Sequence, residues 1–127
     1  MNIVKSDEVS EYEGPGQPAR RIRLLATPES IGTRGVSMGM SIYGLGMSAP
    51  WHSHQGEELI FILHGKGKFR TRTQEVEVTA GTVVYFPPGD EHQLENSGSQ
   101  SLEFIFVYAP PGQELRPIQE KWVLHKQ

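Results

Sequence analysis

GMSAPWHSHQGEELIFILHG, residues 46–65, and GTVVYFPPGDEHQLEN, residues 81–96, are the two stretches of sequence that decide the fold. Each combines an apolar run with one or more histidines, and each is bounded by glycine, proline or asparagine. Short apolar runs between turn residues are typical of strands. Residues 59–63 are apolar at every position, which indicates a strand that needs cover on both faces. The two stretches therefore predict strands that carry histidines near their ends.

Outside these stretches, alternation predicts strands through most of the chain. In residues 36–43, Val36, Met38, Met40 and Ile42 alternate with polar or small residues, so we expect this apolar face to be buried. No window of helical length carries an amphipathic stripe, which excludes a helical bundle or a βαβ fold. Residues 101–108 are apolar at nearly every position, and a second subunit could supply the cover that their outer face needs. Shorter strand candidates are residues 20–26, 68–72, 76–78, 82–86 and 92–95.

Length and charge restrict the class of protein. A chain of 127 residues has the size of one domain, and its fourteen glycines and nine prolines predict many turns. We expect a single domain over 1–127, with an N-terminal arm (1–18), a barrel body (19–109) and a C-terminal tail (110–127). A net charge of −3 and the lack of a basic run argue against a nucleic-acid partner. No apolar stretch is long enough for a membrane span, and no export signal is evident at the N-terminus.

The chain contains no cysteine, so disulfides and thiolate metal sites are excluded, and a metal site must use histidines and carboxylates. The lack of cysteine is compatible with the reducing cytoplasm, where we expect the protein to reside. His52 and His54 are two positions apart in a segment predicted to be extended, so both rings project from one face. Glu58 begins an apolar strand, where an ionised carboxylate is costly unless it is paired or bound to a cation. His92 begins another predicted strand and adds a third imidazole if the two strands face each other.

The spacing of these residues resembles that of the cupins. The first cupin motif, G(X)5HXH(X)3–4E(X)6G, is matched from Gly46 to Gly65, with its two histidines and its glutamate in register. The second, G(X)5PXG(X)2H(X)3N, is matched from Gly81 to Asn96. Every fixed position of both motifs is present, and the short spacing between them resembles small single-domain bacterial cupins (monocupins).

The resemblance implies an all-β fold, a small antiparallel β-barrel or jelly roll, also called a double-stranded β-helix. It also implies that one divalent metal lies inside the barrel and that the protein is a homodimer. Four imidazole and carboxylate donors leave open coordination positions and suit Fe, Mn, Ni, Co or Zn rather than Mg²⁺ or Ca²⁺. The ligand types do not choose among these five metals. The ligands that the resemblance implies are His52, His54, Glu58 and His92.

Two functions are compatible with such a site. The first is a metal-dependent enzyme that acts on a small organic substrate at an open coordination position, as a dioxygenase, lyase, isomerase or decarboxylase. The second is a binding protein without catalysis, in which the metal helps to recognise a carboxylate or sugar acid. Strand parity places Ile60, Ile62 and Leu94 on the inner face, so we expect a mainly apolar cavity. No catalytic acid or base can be assigned from the sequence.

Several other polar side chains are interpreted as surface groups. Glu57 lies on the opposite strand parity from Glu58, and we expect it to face solvent. His64 is in a predicted turn and His125 in the tail, so neither is included in the site. Arg70 and Arg72 share a strand face and could hold a carboxylate substrate, although exposed strand charges are more common.

Overall fold

A computed structural model describes residues 1–15, 19–115 and 120–125 of the chain. Within these ranges, ten strands form two antiparallel sheets, one of seven strands in the order β10-β1-β2-β3-β9-β4-β7 and one of three in the order β6-β5-β8. Among these residues, no helix is long and apolar enough to cross a membrane. One short α-helix, Pro28–Ile31, and two 3-10 turns, Ser6–Glu8 and Gln113–Leu115, complete the regular structure. The strands are β1 (Glu11–Glu13), β2 (Arg20–Ala26), β3 (Ser37–Tyr43), β4 (Glu57–His64), β5 (Lys66–Thr71), β6 (Glu75–Thr79), β7 (Val83–Phe86), β8 (His92–Asn96), β9 (Leu102–Ala109) and β10 (Val123–His125).

The two-sheet, antiparallel arrangement confirms the predicted all-β jelly roll. Eight of the ten strands, β2 to β9, coincide with the sequence candidates to within two residues at each end. The sequence did not predict β1 and β10, which pair with each other at the edge of the larger sheet. The arm and the tail thus meet in one sheet. Residues 16–18 of the predicted arm and residues 116–119 and 126–127 of the predicted tail lie outside the described residues.

The core lies between the two sheets. Phe69 of the smaller sheet packs edge-on against Phe104 of the larger sheet, with ring centroids 6.2 Å apart, and stacks on Phe86 at 6.4 Å. As parity predicted, Ile60, Ile62 and Leu94 are buried. Burial of such side chains is the main stabilising contribution, at roughly 1.5–3 kcal/mol each.

Asn96, which ends the second motif, has a structural role at the end of β8. Its buried side-chain amide nitrogen lies 3.0 Å from the carbonyl oxygens of Tyr43 and Gly44 and 2.9 Å from that of Gln100, while its Oδ1 accepts a hydrogen bond from the Gly98 amide. These contacts join β8 of the smaller sheet to the end of β3 in the larger sheet. Satisfied buried polar groups of this kind fix a loop in one conformation.

The buried face of β3 is the opposite of the one predicted. Ser37, Gly39, Ser41 and Tyr43 face the interior, while Met38 is exposed and Met40 and Ile42 are only partly covered. The reason lies in the neighbouring strand β9, whose inward residues are large. Gly39 stands opposite Phe106, and a Cβ on Gly39 would lie 2.2 Å from the tip of that ring. The interior therefore has room only for small residues on most of β3.

The apolar residues that β3 turns outward belong to a continuous patch. Leu59, Phe61 and Leu63 of β4 point to the same outer side of the larger sheet and are exposed. Register places Phe61 between Val83 of β7 and Ile105 of β9. The outer apolar face, as we name this patch, consists of Met38, Met40, Ile42, Leu59, Phe61, Leu63, Val83, Tyr85, Ile105 and Val107.

Candidate metal centre

A pair of backbone hydrogen bonds brings the first and the second motif together. The His52 amide donates to the His92 carbonyl oxygen at 3.1 Å, and the His92 amide donates to the His52 carbonyl oxygen at 2.9 Å. This isolated antiparallel bridge sets the two residues opposite each other. The His54 carbonyl oxygen in turn accepts a hydrogen bond of 2.8 Å from the Gly89 amide. The rings of His52 and His92 consequently lie 4.4 Å apart, centroid to centroid.

Each of the three imidazoles is oriented through its Nδ1 atom. Nδ1 of His52 lies 2.9 Å from the Pro50 carbonyl oxygen, and Nδ1 of His92 lies 2.8 Å from that of Asp90. Nδ1 of His54 lies 3.1 Å from the side-chain oxygen of Gln113. An oxygen acceptor at Nδ1 places the proton there and leaves the Nε2 lone pair free.

Glu58, the second residue of β4, completes the cluster. Its Oε1 lies 3.3 Å from Nε2 of His54 and 3.3 Å from Nε2 of His92. These three atoms are buried, and none has a hydrogen-bond partner among the described residues. Buried polar atoms are normally satisfied, so three converging unsatisfied atoms call for a ligand.

Burial and mutual contact shift the pKa values of the cluster. Burial lowers the pKa of His52 to about 4, so its ring is neutral near pH 7. Burial acts in the same direction on His54, but the contact with the Glu58 carboxylate outweighs it and raises the pKa of His54. Burial alone would raise the pKa of Glu58, and its contacts with His54 and His92 outweigh that effect and lower it. Glu58 is therefore ionised and His52 is neutral, as metal binding requires, while the raised pKa of His54 means that a metal competes with a proton for this ring.

The donor set of this cluster fits a metal ion. The ligand nitrogens of His52, His54 and His92 all lie within 4.8 Å of one another, so the three residues could hold one. Glu58 adds a buried carboxylate that contacts two of these three histidines, His54 and His92. Oxygen acceptors on the far nitrogens of imidazoles are the usual support of metal-binding histidines, because they fix the ring and its tautomer. The structure thus brings together all four residues that the sequence singled out.

A cavity of about 340 Å³ opens beside this cluster. The sequence predicted mainly apolar walls, and that prediction is wrong in part, because Arg20, Gln113 and Glu114 also line the cavity. Arg20 shares its strand face with the buried Ile22, and this parity could have revealed it. Gln113 and Glu114 follow β9 in the 3-10 turn Gln113–Leu115, which is too short for a periodic pattern to reveal. The complete lining is Arg20, Ile22, His52, Ser53, His54, Phe106, Tyr108, Gly112, Gln113 and Glu114.

Aromatic rings hold two of the imidazoles in place. Phe86 stacks on His92 with its centroid 3.9 Å away and the planes inclined by 8°. Tyr108 packs edge-on against His54 at 4.9 Å. These contacts leave each imidazole little freedom to rotate, which preorganises the cluster.

The polar groups that the sequence assigned to the surface lie there. Glu57 is exposed and accepts a hydrogen bond of 2.8 Å from the Tyr85 hydroxyl. His64 and His125 are exposed and remote from the cluster in the fold. Arg70 pairs with Glu75 and Glu95, and Arg72 pairs with Glu91. Neither arginine lines the cavity, so the notion that they hold a substrate has no support.

The chain is similar to known proteins over much of its length. Residues 39–108 match the family model of the cupin domain. A curated oxalate-binding protein of Thermotoga maritima is 40% identical over 63 residues, which are 49% of this chain and 52% of that protein, so the match spans about half of each. An uncharacterized protein of Methanocaldococcus jannaschii is 32% identical over 114 residues, 87% of this chain and 90% of that protein.

Among solved structures, a predicted oxalate decarboxylase from Thermotoga maritima superposes with a TM-score of 0.76 at 26% identity, covering 87% of this chain and 100% of that one. The family match includes both histidine-bearing stretches and every strand from β4 to β8. The two-sheet architecture, the converging histidines and the family match agree: the chain belongs to the cupin domain family.

Proposed function

We propose that His52, His54, Glu58 and His92 are the ligands of one divalent transition metal. The observation that carries this proposal is the convergence of buried Nε2 and Oε1 atoms without hydrogen-bond partners among the described residues. Apart from the 3.3 Å contacts that they make with one another, these atoms have no polar partner among the described residues, and a metal ion would satisfy all of them at once. Imidazole and carboxylate donors suit Fe, Mn, Ni, Co or Zn.

We further propose that the protein is an enzyme that acts on a small organic substrate. A bound metal would supply Lewis acidity, or a site for oxygen, at a coordination position that faces the cavity. The chain itself contributes a cavity of a size that suits a small molecule. Ile22, Phe106 and Tyr108 give this cavity one largely apolar wall, against which the carbon skeleton of a small molecule can pack. Reactions of the dioxygenase, lyase, isomerase and decarboxylase types are all compatible with these parts.

Elemental analysis of tag-free protein tests the metal site. Wild-type protein is expected to contain about one Fe, Mn, Ni, Co or Zn atom per chain, measured by inductively coupled plasma mass spectrometry. His54→Ala removes one proposed ligand and is expected to lose most of the metal. His64→Ala removes an exposed histidine that is remote from the cluster and serves as the matched control. Equal metal contents in the two variants, or no metal in wild-type protein after reconstitution, would contradict the proposal.

A binding protein without catalysis is the second candidate function. It is favoured by the name of one relative, the oxalate-binding protein. The two candidates differ in what happens to a ligand that binds. Mixing metal-loaded protein with candidate organic acids and following product by NMR distinguishes them, because an enzyme forms product and His92→Ala abolishes it. A binding protein shows metal-dependent affinity and no product.

We propose a second copy of this chain as the cover of the outer apolar face, which makes the protein a homodimer. A two-fold interface brings the same patch of both chains together, and a flat apolar patch is complementary to itself. Large contiguous exposed apolar patches usually mark such contacts. Leu59, Phe61 and Leu63 lie at its centre, on the strand that the sequence predicted to need cover on both faces.

Analytical ultracentrifugation tests the dimer. Wild-type protein is expected to sediment as a dimer, while Phe61→Glu, which places a charge in the outer apolar face, is expected to sediment as a monomer. Val76→Glu is the matched control, since Val76 is similarly exposed (49% against 43%) but lies on the smaller sheet. A monomeric wild-type protein, or loss of the dimer in both variants, would overturn this assignment.

We also propose that residues 1–127 form one cooperative domain and that the protein works in the cytoplasm. A single unfolding transition, seen alike by tryptophan fluorescence and far-UV circular dichroism, is expected of one domain. Cell fractionation tests the compartment, with recovery in the cytoplasmic fraction as the expected result.

A further inference from the structure

Arg20 occupies an unusual position for an arginine, at the start of β2 and on the inner face of the larger sheet. It stands opposite Tyr43 in the strand register, and it lies two positions from the buried Ile22 on the same face. Its guanidinium carbon is 5.5 Å from the centroid of the Tyr43 ring and 5.7 Å from that of Trp122. Cation–π contacts with these two rings therefore position the guanidinium at the wall of the cavity.

The buried part of the Arg20 guanidinium lacks a hydrogen-bond acceptor. Its Nε atom is buried and has no hydrogen-bond partner among the described residues. The neighbouring Arg21, in contrast, faces the other side of the sheet and pairs with Glu11 at 3.8 Å. A buried guanidinium nitrogen without a partner is costly, and a carboxylate that binds the outer nitrogens of Arg20 from the cavity would balance the charge of the group.

The other charged group on the cavity wall does not fill this role. Glu114 is buried, and its two oxygens accept hydrogen bonds of 2.8 and 2.7 Å from the Gly112 amide. That contact anchors the segment after β9. Gln113, beside it, is already engaged with His54. Arg20 is thus the arginine of the cavity lining, and two of the proposed metal ligands, His52 and His54, line the same cavity.

We propose that Arg20 is the specificity-determining residue of this cavity and that the ligand class is a small organic anion with at least two oxygen-bearing groups. One carboxylate of the ligand accepts hydrogen bonds from the Arg20 guanidinium, and a second oxygen group faces the His52, His54 and His92 cluster. This inference rests on the proposed metal site, because the second group needs the metal. Dicarboxylates and hydroxy acids fit the class, and neutral amides of the same shape do not.

Isothermal titration calorimetry with metal-loaded protein tests the assignment, using oxalate, malonate and succinate as probes and malonamide as the neutral counterpart. Arg20→Gln removes the charge, and Arg21→Gln is the matched control on the other face of the same strand. At least one dicarboxylate is expected to bind wild-type protein. Arg20→Gln should weaken that binding about ten- to a hundredfold, the usual effect of losing a charged hydrogen bond, while Arg21→Gln leaves it unchanged. Malonamide is expected not to bind.

Arg20→Lys separates charge from geometry. Partial recovery of binding is expected, since lysine retains the charge but not the two-pronged guanidinium. Metal content is measured on every variant, which distinguishes failure of this inference from failure of the proposed function. If the wild-type protein contains no metal, the proposed metal site is refuted. Full metal with equal dicarboxylate affinity in wild type and Arg20→Gln, or with no dicarboxylate binding at all, would overturn the role of Arg20.

Discussion

Within the larger sheet, the two faces of β3 differ in the opposite sense to the usual rule. On the inner face, β3 presents Ser37, Gly39 and Ser41, and the cluster beside it consists of polar, titratable side chains. On the outer face, Met38 and Phe61 represent a broad apolar surface that a single chain leaves exposed. The difference teaches that alternation reveals a strand but does not by itself reveal which side is the interior. The volume left by neighbouring strands decides that.

The same point is visible in the pairing of β3 with β9. Ser37, Gly39 and Ser41 stand opposite Tyr108, Phe106 and Phe104. Each small residue faces a large ring, so the pair fills a constant depth of core. On the outer face no such constraint acts, and both strands carry apolar residues of medium size.

The largest expected effect on the free energy of unfolding comes from a mutation that disrupts the packing of the inner face. Phe106→Ala removes a ring that is 1% exposed and is expected to lower the free energy of unfolding by about 3–5 kcal/mol. Phe61→Ala makes the same chemical change on the outer face, where the ring is 43% exposed, and should cost much less. Urea unfolding at concentrations where the protein is monomeric measures both. Equal losses would mean that the two faces do not differ in packing as described.

A smaller effect is expected from adding one methyl group to the inner face. Gly39→Ala places a Cβ 2.2 Å from Cζ of Phe106 and should cost about 1–3 kcal/mol of unfolding free energy. Gly35→Ala, at a glycine with no atom near the added methyl, is the control and should be nearly neutral. Phe106→Leu should make the Gly39→Ala change cheaper, and a double-mutant cycle measures that coupling. If the two losses of unfolding free energy are purely additive, the cost of Gly39→Ala does not come from a clash with Phe106.

Removing the hydrogen-bond acceptor that orients His54 is expected to lower metal affinity about tenfold. Gln113→Ala removes the acceptor at Nδ1 of His54 and leaves every proposed ligand in place. Metal affinity, measured by competition with a chromophoric chelator, should fall by about that factor. Gln93→Ala, whose amide contacts Arg70 on the smaller sheet, should leave it unchanged. Unaltered affinity in Gln113→Ala would show that His54 needs no orientation from Gln113.

The smallest expected effect concerns the outer face. If a second copy covers it, a tenfold rise in protein concentration stabilises the wild-type protein by about 0.7 kcal/mol per chain. The midpoint of thermal unfolding should therefore rise with concentration in wild-type protein and stay constant in Phe61→Glu. Differential scanning calorimetry at several concentrations measures this, and a wild-type midpoint that does not move would argue against the dimer.

Local patterns in the sequence predicted the strands and drew attention to the four residues of the cluster, and the resemblance to the cupins implied the jelly roll and the ligand set. Spacing in an extended segment sets His52 and His54 on one side, and the turn before His92 returns the chain to meet them. Gln113 escaped prediction because its role depends on a contact with His54, 59 positions away, whereas Arg20 was overlooked although the parity of its strand could have revealed it. The strands β1 and β10 escaped it for a similar reason, since each has three residues and pairs with a partner at the other end of the chain.

The pairing of β1 with β10 has a consequence for the order of folding. Glu13 and His125, which contact each other at 3.0 Å, are 112 positions apart in sequence. During synthesis β1 can pair with β2 early, but its other edge waits until residues 123–125 have left the ribosome. Trp122, just ahead of β10, packs against Gly14 and over Arg20, so the segment that brings β10 also closes the wall of the cavity. The cavity is thus completed only after its other walls have been synthesised.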